Sequence, residues 1–481
     1  MKHAPSILVG VLALSLPATA LAACDPPAAG KPPAVMCGLD NPRGLAFGAG
    51  GALFVAEAGH GGAPCDPPPP DTPALSCYGL TGAISRLWHG QQVRIVGKLP
   101  SVSFRFGAQA RGPNDIALRF GKGPESWVLG ADGADVTIGL EADPATRDVK
   151  DRHDFGKLVH IPASALFAPS TDLCAGDACW QPRVDIAAYE IGGGPDSGKP
   201  ESDPYGLLVE RRGHRRGDDD EAEDEEAEDD HHDHGRREGG DDDGDEGHRT
   251  SDVVIDASGN SLLHVDADGE ITLLAVFPSR STTPPRPTPG ITALTDSVPT
   301  SVVVGPDGAY YVGELVGIPF TSSPTVKRDN SNIYRVERGQ DPEHPTVFLD
   351  GHVTGFNAII DIAFKGNDLY VLQHWTTSPT ASPKDGKLIR VACGGHPFAC
   401  DGLHPTTVLD GLDGPTSLAF GPDGALYVTN KGALPAFTSL TSAYKPQGEV
   451  LRIDLGDADD HGHHGHDDHE GDNGHHDDEG R

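Results

Sequence analysis

Long apolar runs are missing from this sequence. Beyond the N-terminal stretch nothing reaches 18 consecutive apolar residues, so no membrane-spanning helix is expected. Basic charge is scarce too. Lys and Arg total 37 against 72 Asp and Glu, a net charge of −35. A phosphate backbone selects for the opposite balance, which excludes nucleic acid as a partner. No Gly-x-Ser-x-Gly elbow marks a nucleophile, and no Cys-x-x-Cys spacing marks a zinc site. His374, beside Trp375, stands alone and reads as a packing residue, and Cys393-Gly-Gly-His396 is only a weak metal signal.

What the chain has in quantity is turn chemistry: 62 Gly and 42 Pro in 481 residues. Much of the acidity is concentrated in two runs. Residues 211–250 carry Asp and Glu blocks with His231, His232 and His234, and residues 457–481 repeat the theme. Neither can bury enough apolar surface to order, so both are expected to be disordered. Their interleaved His and Asp suit loose binding of Zn²⁺, Ni²⁺ or Cu²⁺. Residues 1–22 read as a signal peptide: Lys2, an apolar Ile7–Leu16 stretch and Ala20-Leu21-Ala22. Leu21-Ala22-Ala23-Cys24 also fits a lipoprotein signal. The eight Cys favour soluble export to the periplasm or outside, because they fall into four local pairs: Cys24/Cys37, Cys65/Cys77, Cys174/Cys179 and Cys393/Cys400. Lipidation at Cys24 would leave Cys37 alone.

A repeat organises residues 33–456. "NPRGLAFGAGGALFVAEAG" from Asn41, "VPTSVVVGPDGAYYVGELVG" from Val298 and "GPTSLAFGPDGALYVTNKG" from Gly414 are one unit: an apolar strand, a Gly-rich turn and a second strand. "NAIIDIAFKGNDLYVLQHW" from Asn357 is a fourth copy, and Gly112 and Asp203 begin two more. In Gly-Pro-Asp-Gly (Gly305–Gly308, Gly421–Gly424), Pro presets φ and Gly accepts positive φ, which signals a hairpin. Six third strands are followed by only five fourth strands, and "AVMCGLD" stands spare ahead of the first unit. That arithmetic predicts an all-β, six-bladed β-propeller of four-stranded antiparallel blades whose last blade is closed by the N-terminal strand. The acidic run lies inside blade 3. The Cys174/Cys179 and Cys393/Cys400 pairs fall in loops between third and fourth strands.

Asn41–Phe47, then "LFVAEAG", a Cys-flanked loop, "CYGLTGAISRL", "VTIGLEADPATRD…FGKLV" and "GFNAIIDIAF" with "GNDLYVLQ" are similar to strings of the ScyD/ScyE family of exported bacterial propellers. The resemblance covers about residues 37 to 455 and implies the same fold. It implies no activity, since the family extends well beyond producers of the pigment it is named for, and none is agreed for it. The acidic insertion and the His/Asp tail depart from its pattern.

In a propeller, the starts of first strands and the ends of second strands converge on one mouth of the channel. Here these positions supply Arg43, Glu57, Asn114, Asp115, Tyr205, Asp256, Glu314, Asp361, Gln373 and Asn430 as ligand-binding residues. Glu57, Asp115, Asp256, Glu314 and Asp361 are expected to form an oxygen-rich ring for Ca²⁺. The Cys65/Cys77 loop projects from the same face as a lid. Against this stands the reading that such side chains cap strand ends and bond backbone groups. The sequence favours an exported, monomeric, non-catalytic binding or scaffold protein using the mouth for an unidentified small molecule or protein. The alternative is a metal-dependent lactonase or esterase with a cation in the channel.

Overall fold

The computed structural model describes residues 24–62, 65–66, 76–104, 107–119, 132–147, 152–168, 173–176, 178–192, 194–195, 200–211, 250–281, 294–317, 331–377, 385–394, 399–400, 404–433 and 445–456. The signal stretch, the tail and all but the ends of the acidic run lie outside them.

Six antiparallel sheets follow one another along the chain. The first strands are Pro42–Phe47, Pro113–Arg119, Pro204–Arg211, Pro299–Val304, Ile359–Lys365 and Ser417–Phe420. Each pairs with the second strand of its own blade, and the first strands of neighbouring blades stand side by side around the axis. In the last blade the outermost strand is Ala34–Leu39, which pairs antiparallel with Gly448–Ile453. The spare N-terminal strand thus fills the missing fourth position, and a six-bladed ring is closed by the two ends of the propeller segment. Met36 and Leu39 of that strand are fully buried against Leu45, Leu53 and Val55 of blade 1, so closure also buries apolar surface between blades.

The repeat is held locally by its turns. Gly308 and Gly424 take φ of 80° and 76° and close hairpins onto Gly305 and Gly421. The turn aspartates then gather two partners from their own blades. Asp307 accepts from the Tyr311 hydroxyl at 3.1 Å and Arg335 Nε at 2.7 Å, and Asp423 from Tyr427 at 3.0 Å and Arg452 Nε at 2.8 Å. No helix among the described residues is long and apolar enough to cross a membrane.

The four disulfides join Cys24 to Cys37, Cys65 to Cys77, Cys174 to Cys179 and Cys393 to Cys400, as parity predicts. The segments holding the last two are not plain loops, however. Cys174–Ala175 is a short strand that runs parallel to Val96 and Gly97 of blade 1, and Cys179 is buried in the core shared by blades 1 and 2. That disulfide therefore fastens a blade 2 excursion to its neighbour. Cys393–Gly394 and Ala399–Cys400 pair as a two-stranded ribbon, with Cys393 and Cys400 facing each other across it and packed on the core between blades 4 and 5. Apolar surface on the adjoining blade draws both segments into order, a pull that spacing alone does not reveal.

Two further local readings change. "VDIAAYEI" reads as a fourth strand, but only Gln181–Asp185 is strand, and Ile186–Ile191 is a helix. The Asp185 side chain accepts from Ala188 N–H at 2.9 Å as an N-cap, and Ile186, Ala187 and Glu190 face inward at helical spacing. In blade 1, "GAISRLWHG" and "VRIVGKL" read as the third and fourth strands, and the observed strands, Ser76–Trp88 and Gln91–Phe104, run well past them. The extension rises on the mouth side, where Cys65 and Cys77 pair across adjoining strands. The described part of the expected lid is therefore sheet, while 67–75 lie outside the described residues.

On the opposite face, the roots of the acidic run sit beside a buried charge network. Arg119 and Arg183 both bond Asp252, at 2.8 and 2.6 Å, and Arg119 also bonds the Thr250 carbonyl at 3.0 Å.

Ring closure through the N-terminal strand makes that strand's burial costly to lose. Met36→Ala should destabilise the protein by about 2–5 kcal/mol, the range for truncating a buried large aliphatic side chain. Urea denaturation checks this; a midpoint equal to that of the unsubstituted protein would contradict the closure role.

Candidate functional site: the channel mouth

Residues at the ends of the second strands share one task. Glu57 accepts from Asp40 N–H at 2.6 Å, from Ser85 Oγ at 2.5 Å and from two Arg94 N–H groups. Asp256 accepts from Asp203 N–H at 2.7 Å, Ser202 Oγ at 2.6 Å and Gly259 N–H at 3.0 Å. Glu314 accepts from Ser297 Oγ at 2.5 Å and Asn332 N–H at 2.7 Å, Gln373 from Asn357 N–H at 3.4 Å, and Asn430 from Asp413 N–H at 2.8 Å. The donors Asp40, Asp203, Ser297, Asn357 and Asp413 all lie in the linker just ahead of a first strand. These side chains tie the incoming linker to its own blade.

The starts of the first strands do something different. Asn114 Nδ2 donates to the Pro204 carbonyl at 3.0 Å, Thr300 Oγ1 to the Ile359 carbonyl at 3.0 Å, and Thr416 Oγ1 to the Pro42 carbonyl at 2.7 Å. Asp115 accepts from Leu207 N–H at 2.9 Å, and Asp361 from Leu418 N–H at 2.8 Å and Ser417 Oγ at 2.7 Å. Each bond reaches the next blade. Gly44 shows how close the approach is: a Cβ there would stand 1.9 Å from Asp115 Oδ1.

These inner residues line a polar cavity of about 30 Å³. That is room for about two waters. It is lined by Gly44, Asn114, Asp115, Tyr205, Thr300, Ser301, Val302, Ile360, Asp361, Thr416 and Ser417. Burial, reinforced by the Asp361 charge, pushes the Asp115 carboxyl well above the usual range. Burial raises Asp361 to about 6, although three donors to its oxygens pull the other way. Burial also moves the Tyr205 phenol to about 12, with Arg43, Asp203, Asp115 and Asp361 all within electrostatic reach of it.

The expected five-carboxylate ring does not assemble. Only Asp115 and Asp361 line the cavity, while Glu57, Asp256 and Glu314 are turned to strand-end donors and, for Glu57, to Arg94. A hard cation takes about six to eight oxygens. Among the described residues no group of three or more His, Cys, Asp or Glu is placed to hold a metal. This donor set does not fit Ca²⁺. His374 Nδ1 lies 2.6 Å from the Pro415 carbonyl, so the ring donates there and ties blade 5 to blade 6. His396 lies outside the described residues.

The residue that the repeat does not single out is Asp203. It stands immediately before Pro204, half-buried at the rim. Its Oδ1 accepts from Leu140 N–H at 2.9 Å and lies 3.4 Å from Asn114 Nδ2. Burial, with Glu141 and Asp256 nearby, raises it to about 8 against the pull of Arg111. The "SDPYG" string places a carboxylate ahead of a first strand, but nothing local announces its burial.

No family model matches the chain, and no curated protein matches it. Solved structures do. A protein of Thermus thermophilus described as an oxidoreductase (glucose dehydrogenase) is 16% identical, with 87% of this chain and 99% of that one covered and a TM-score of 0.41. A luciferin-regenerating enzyme is 10% identical, with 88% and 94% covered and a TM-score of 0.39. A virginiamycin B lyase of Staphylococcus aureus is 12% identical, with 87% and 96% covered and a TM-score of 0.30. All are of low identity and low TM-score, and none shows a family for this chain, ScyD/ScyE included. Several of these neighbours carry enzyme names, which are theirs and carry no argument for or against catalysis here. At these TM-scores they assign no activity, and the chemistry has to come from the mouth itself.

Asp361 provides a direct check on the electrostatics of that mouth. An unfolded aspartate titrates at about 3.9, and the folded one at about 6. The folded protein therefore holds the extra proton between those values, and stability falls as pH rises from about 4 to about 6. Urea midpoints across that window should decline, and carboxyl ¹³C titration should place Asp361 at about 6. A carboxyl titrating below about 4 would contradict the burial argument.

Proposed function

We propose that the protein is a hydrolase of the lactonase or esterase kind, working by acid–base catalysis at the channel mouth. One observation carries this reading. Two carboxyls within electrostatic reach of the same Tyr205 hydroxyl are poised on either side of neutral pH, Asp361 at about 6 and Asp203 at about 8. Environments that push two acids apart in this way separate a base from an acid.

Near pH 7 Asp361 is largely ionised and Asp203 largely protonated. In the proposed reaction Asp361 takes a proton from a water as its oxygen adds to the substrate carbonyl carbon. The carbonyl–alkoxy bond then breaks, and Asp203 gives its proton to the departing oxygen. Tyr205, with its phenol neutral throughout this range, supplies a donor to hold the substrate. The cavity is too small for a whole substrate, so the reacting group alone would enter, with the rest resting on the rim. A cation is not part of this scheme because only two carboxylates line the cavity, where a hard cation takes about six to eight oxygens. We read the chain as exported and soluble, supported by its four disulfides and by Cys24 being bonded to Cys37. The ScyD/ScyE resemblance is kept as a proposal of kinship and brings no substrate with it.

Purified protein assayed on a panel of aliphatic and aromatic esters and five- and six-membered lactones should hydrolyse at least one class. The kcat profile should show limbs at about pH 6 and about pH 8. Asp361→Asn and Asp203→Asn should each lower kcat by about 10²–10⁴-fold, the usual worth of a positioned acid or base, with thermal midpoints recorded alongside. No turnover across the panel, or full activity in both variants, overturns the reading.

A further inference from the structure

Asp203 is flanked by a charged pair that the blade repeat does not call for. Ala142 and Ser202 bridge antiparallel, with Ser202 N–H donating to the Ala142 carbonyl at 3.2 Å. That register sets Glu141 opposite Asp203, and Leu140, one residue earlier, donates its N–H to Asp203 Oδ1 at 2.9 Å. Glu141 in turn accepts from Arg111 Nε. Arg111 ends Ala108–Arg111, a strand on the extended sheet of blade 1, and its guanidinium lies 5.5 Å from the centre of the Phe104 ring. Gly112 beside it accepts from Gly139 N–H at 2.9 Å, which fixes the two segments side by side.

No structural task accounts for Glu141. Asp256, the other acid beside Asp203, ties a linker to its blade through three donors, as Glu57 and Glu314 tie theirs. Glu141 makes no such tie. Among the described residues its side chain bonds Arg111 alone, and 54% of it is exposed. Its backbone is held at φ 50°, in the left-handed region that glutamate enters only at a cost. Strain of that kind persists where the surrounding structure fixes a residue for a task.

A carboxylate opposite a carboxyl makes ionisation of the second harder, and a guanidinium on the first offsets part of that. Burial comes first in raising Asp203 to about 8, Glu141 and Asp256 add to it, and Arg111 opposes them. Tyr205, also within electrostatic reach, is neutral there. Leu140 and Asn114 face Oδ1, so the proton belongs on Oδ2, which has no hydrogen-bond partner among the described residues.

We propose that Arg111 and Glu141 are positioning residues for the Asp203 acid, Glu141 holding the proton on Oδ2 and Arg111 keeping it transferable. This rests on reading Asp203 as the acid of the mouth and adds the pair that poises it.

Carboxyl ¹³C titration of the whole protein tests this, at low ionic strength because salt screens a half-exposed charge, with Asp203→Asn identifying the signal. Asp203 should titrate at about 8 in the unsubstituted protein. Its midpoint should fall by about one pH unit in Glu141→Gln and rise in Arg111→Gln, with Glu141→Asp restoring part of the fall. A merely structural pair would not move one carboxyl in opposite directions. The alkaline limb of kcat should follow the same shifts. Should Arg111→Gln fail to fold, Glu141→Gln, at an exposed position, still decides. An Asp203 midpoint unchanged in Glu141→Gln, or moved the same way by both variants, overturns the assignment. Opposed shifts without hydrolysis of any ester or lactone remove the hydrolase and leave the pair's hold on Asp203 standing. Hydrolysis with both the midpoint and the alkaline limb unmoved in Glu141→Gln does the reverse.

Discussion

The inner edge of each blade is the constraint from which the rest of this molecule follows. A first strand has a ladder partner on one side only, and its other edge faces the axis, where backbone N–H and C=O groups still need partners. Neighbouring blades solve this for one another with side chains. Asn114, Thr300 and Thr416 donate to carbonyls of the following blade, and Asp115 and Asp361 accept from its amides. The ring is thus sewn together around the channel by polar side chains, while apolar faces do the packing between blades. The N-terminal strand completes the last blade so that its edge, too, is covered.

That solution makes the channel acidic and buried at once. Carboxylates recruited to bond amides sit where water is scarce, and burial disfavours their charge. Asp115, Asp361 and Asp203 are therefore raised by the same feature that makes them structural. Structure and chemistry are not competing explanations here. A strand-edge carboxylate held in a small polar cavity is rigid and perturbed, and both properties are wanted in an acid or a base. The end-of-second-strand carboxylates bond linkers of their own blade instead; burial raises Asp256 as well, while Glu57 is paired with Arg94.

Several parts of the fold are legible in the linear chain. The repeated Pro, apolar strand, Gly-Pro-Asp-Gly and second strand carry their own turn chemistry, and the count of third and fourth strands implies the closure. These features are local, so they survive in a linear reading. The helix at Ile186–Ile191 escapes that reading because "VDIAAYEI" alternates well enough for a strand, and only Asp185 as an N-cap argues otherwise. The extended strands of blade 1 escape it because nothing in "CYGLTG" announces a ladder, which passes through Gly79 and Gly82 with bulges. Cysteine parity identifies Cys179 and Cys400 as partners of Cys174 and Cys393, yet it says nothing of the cores on which those disulfides rest.

By itself, the sequence determined the blade count, the closure and the disulfide partners, and it offered candidate polar residues for the mouth. Periodicity and parity carry that information along the chain. Which of those residues share a cavity, and which are turned away to a linker, only the tertiary structure decided. Glu57 and Asp361 are both carboxylates expected at the mouth, yet one is paired with arginine and the other lines the channel. The burial of Asp203 and the partners of Arg43 are likewise settled by distant chain segments, such as Gly432 beside Arg43. No local pattern can encode the dielectric and the partners that a folded ring brings to a side chain.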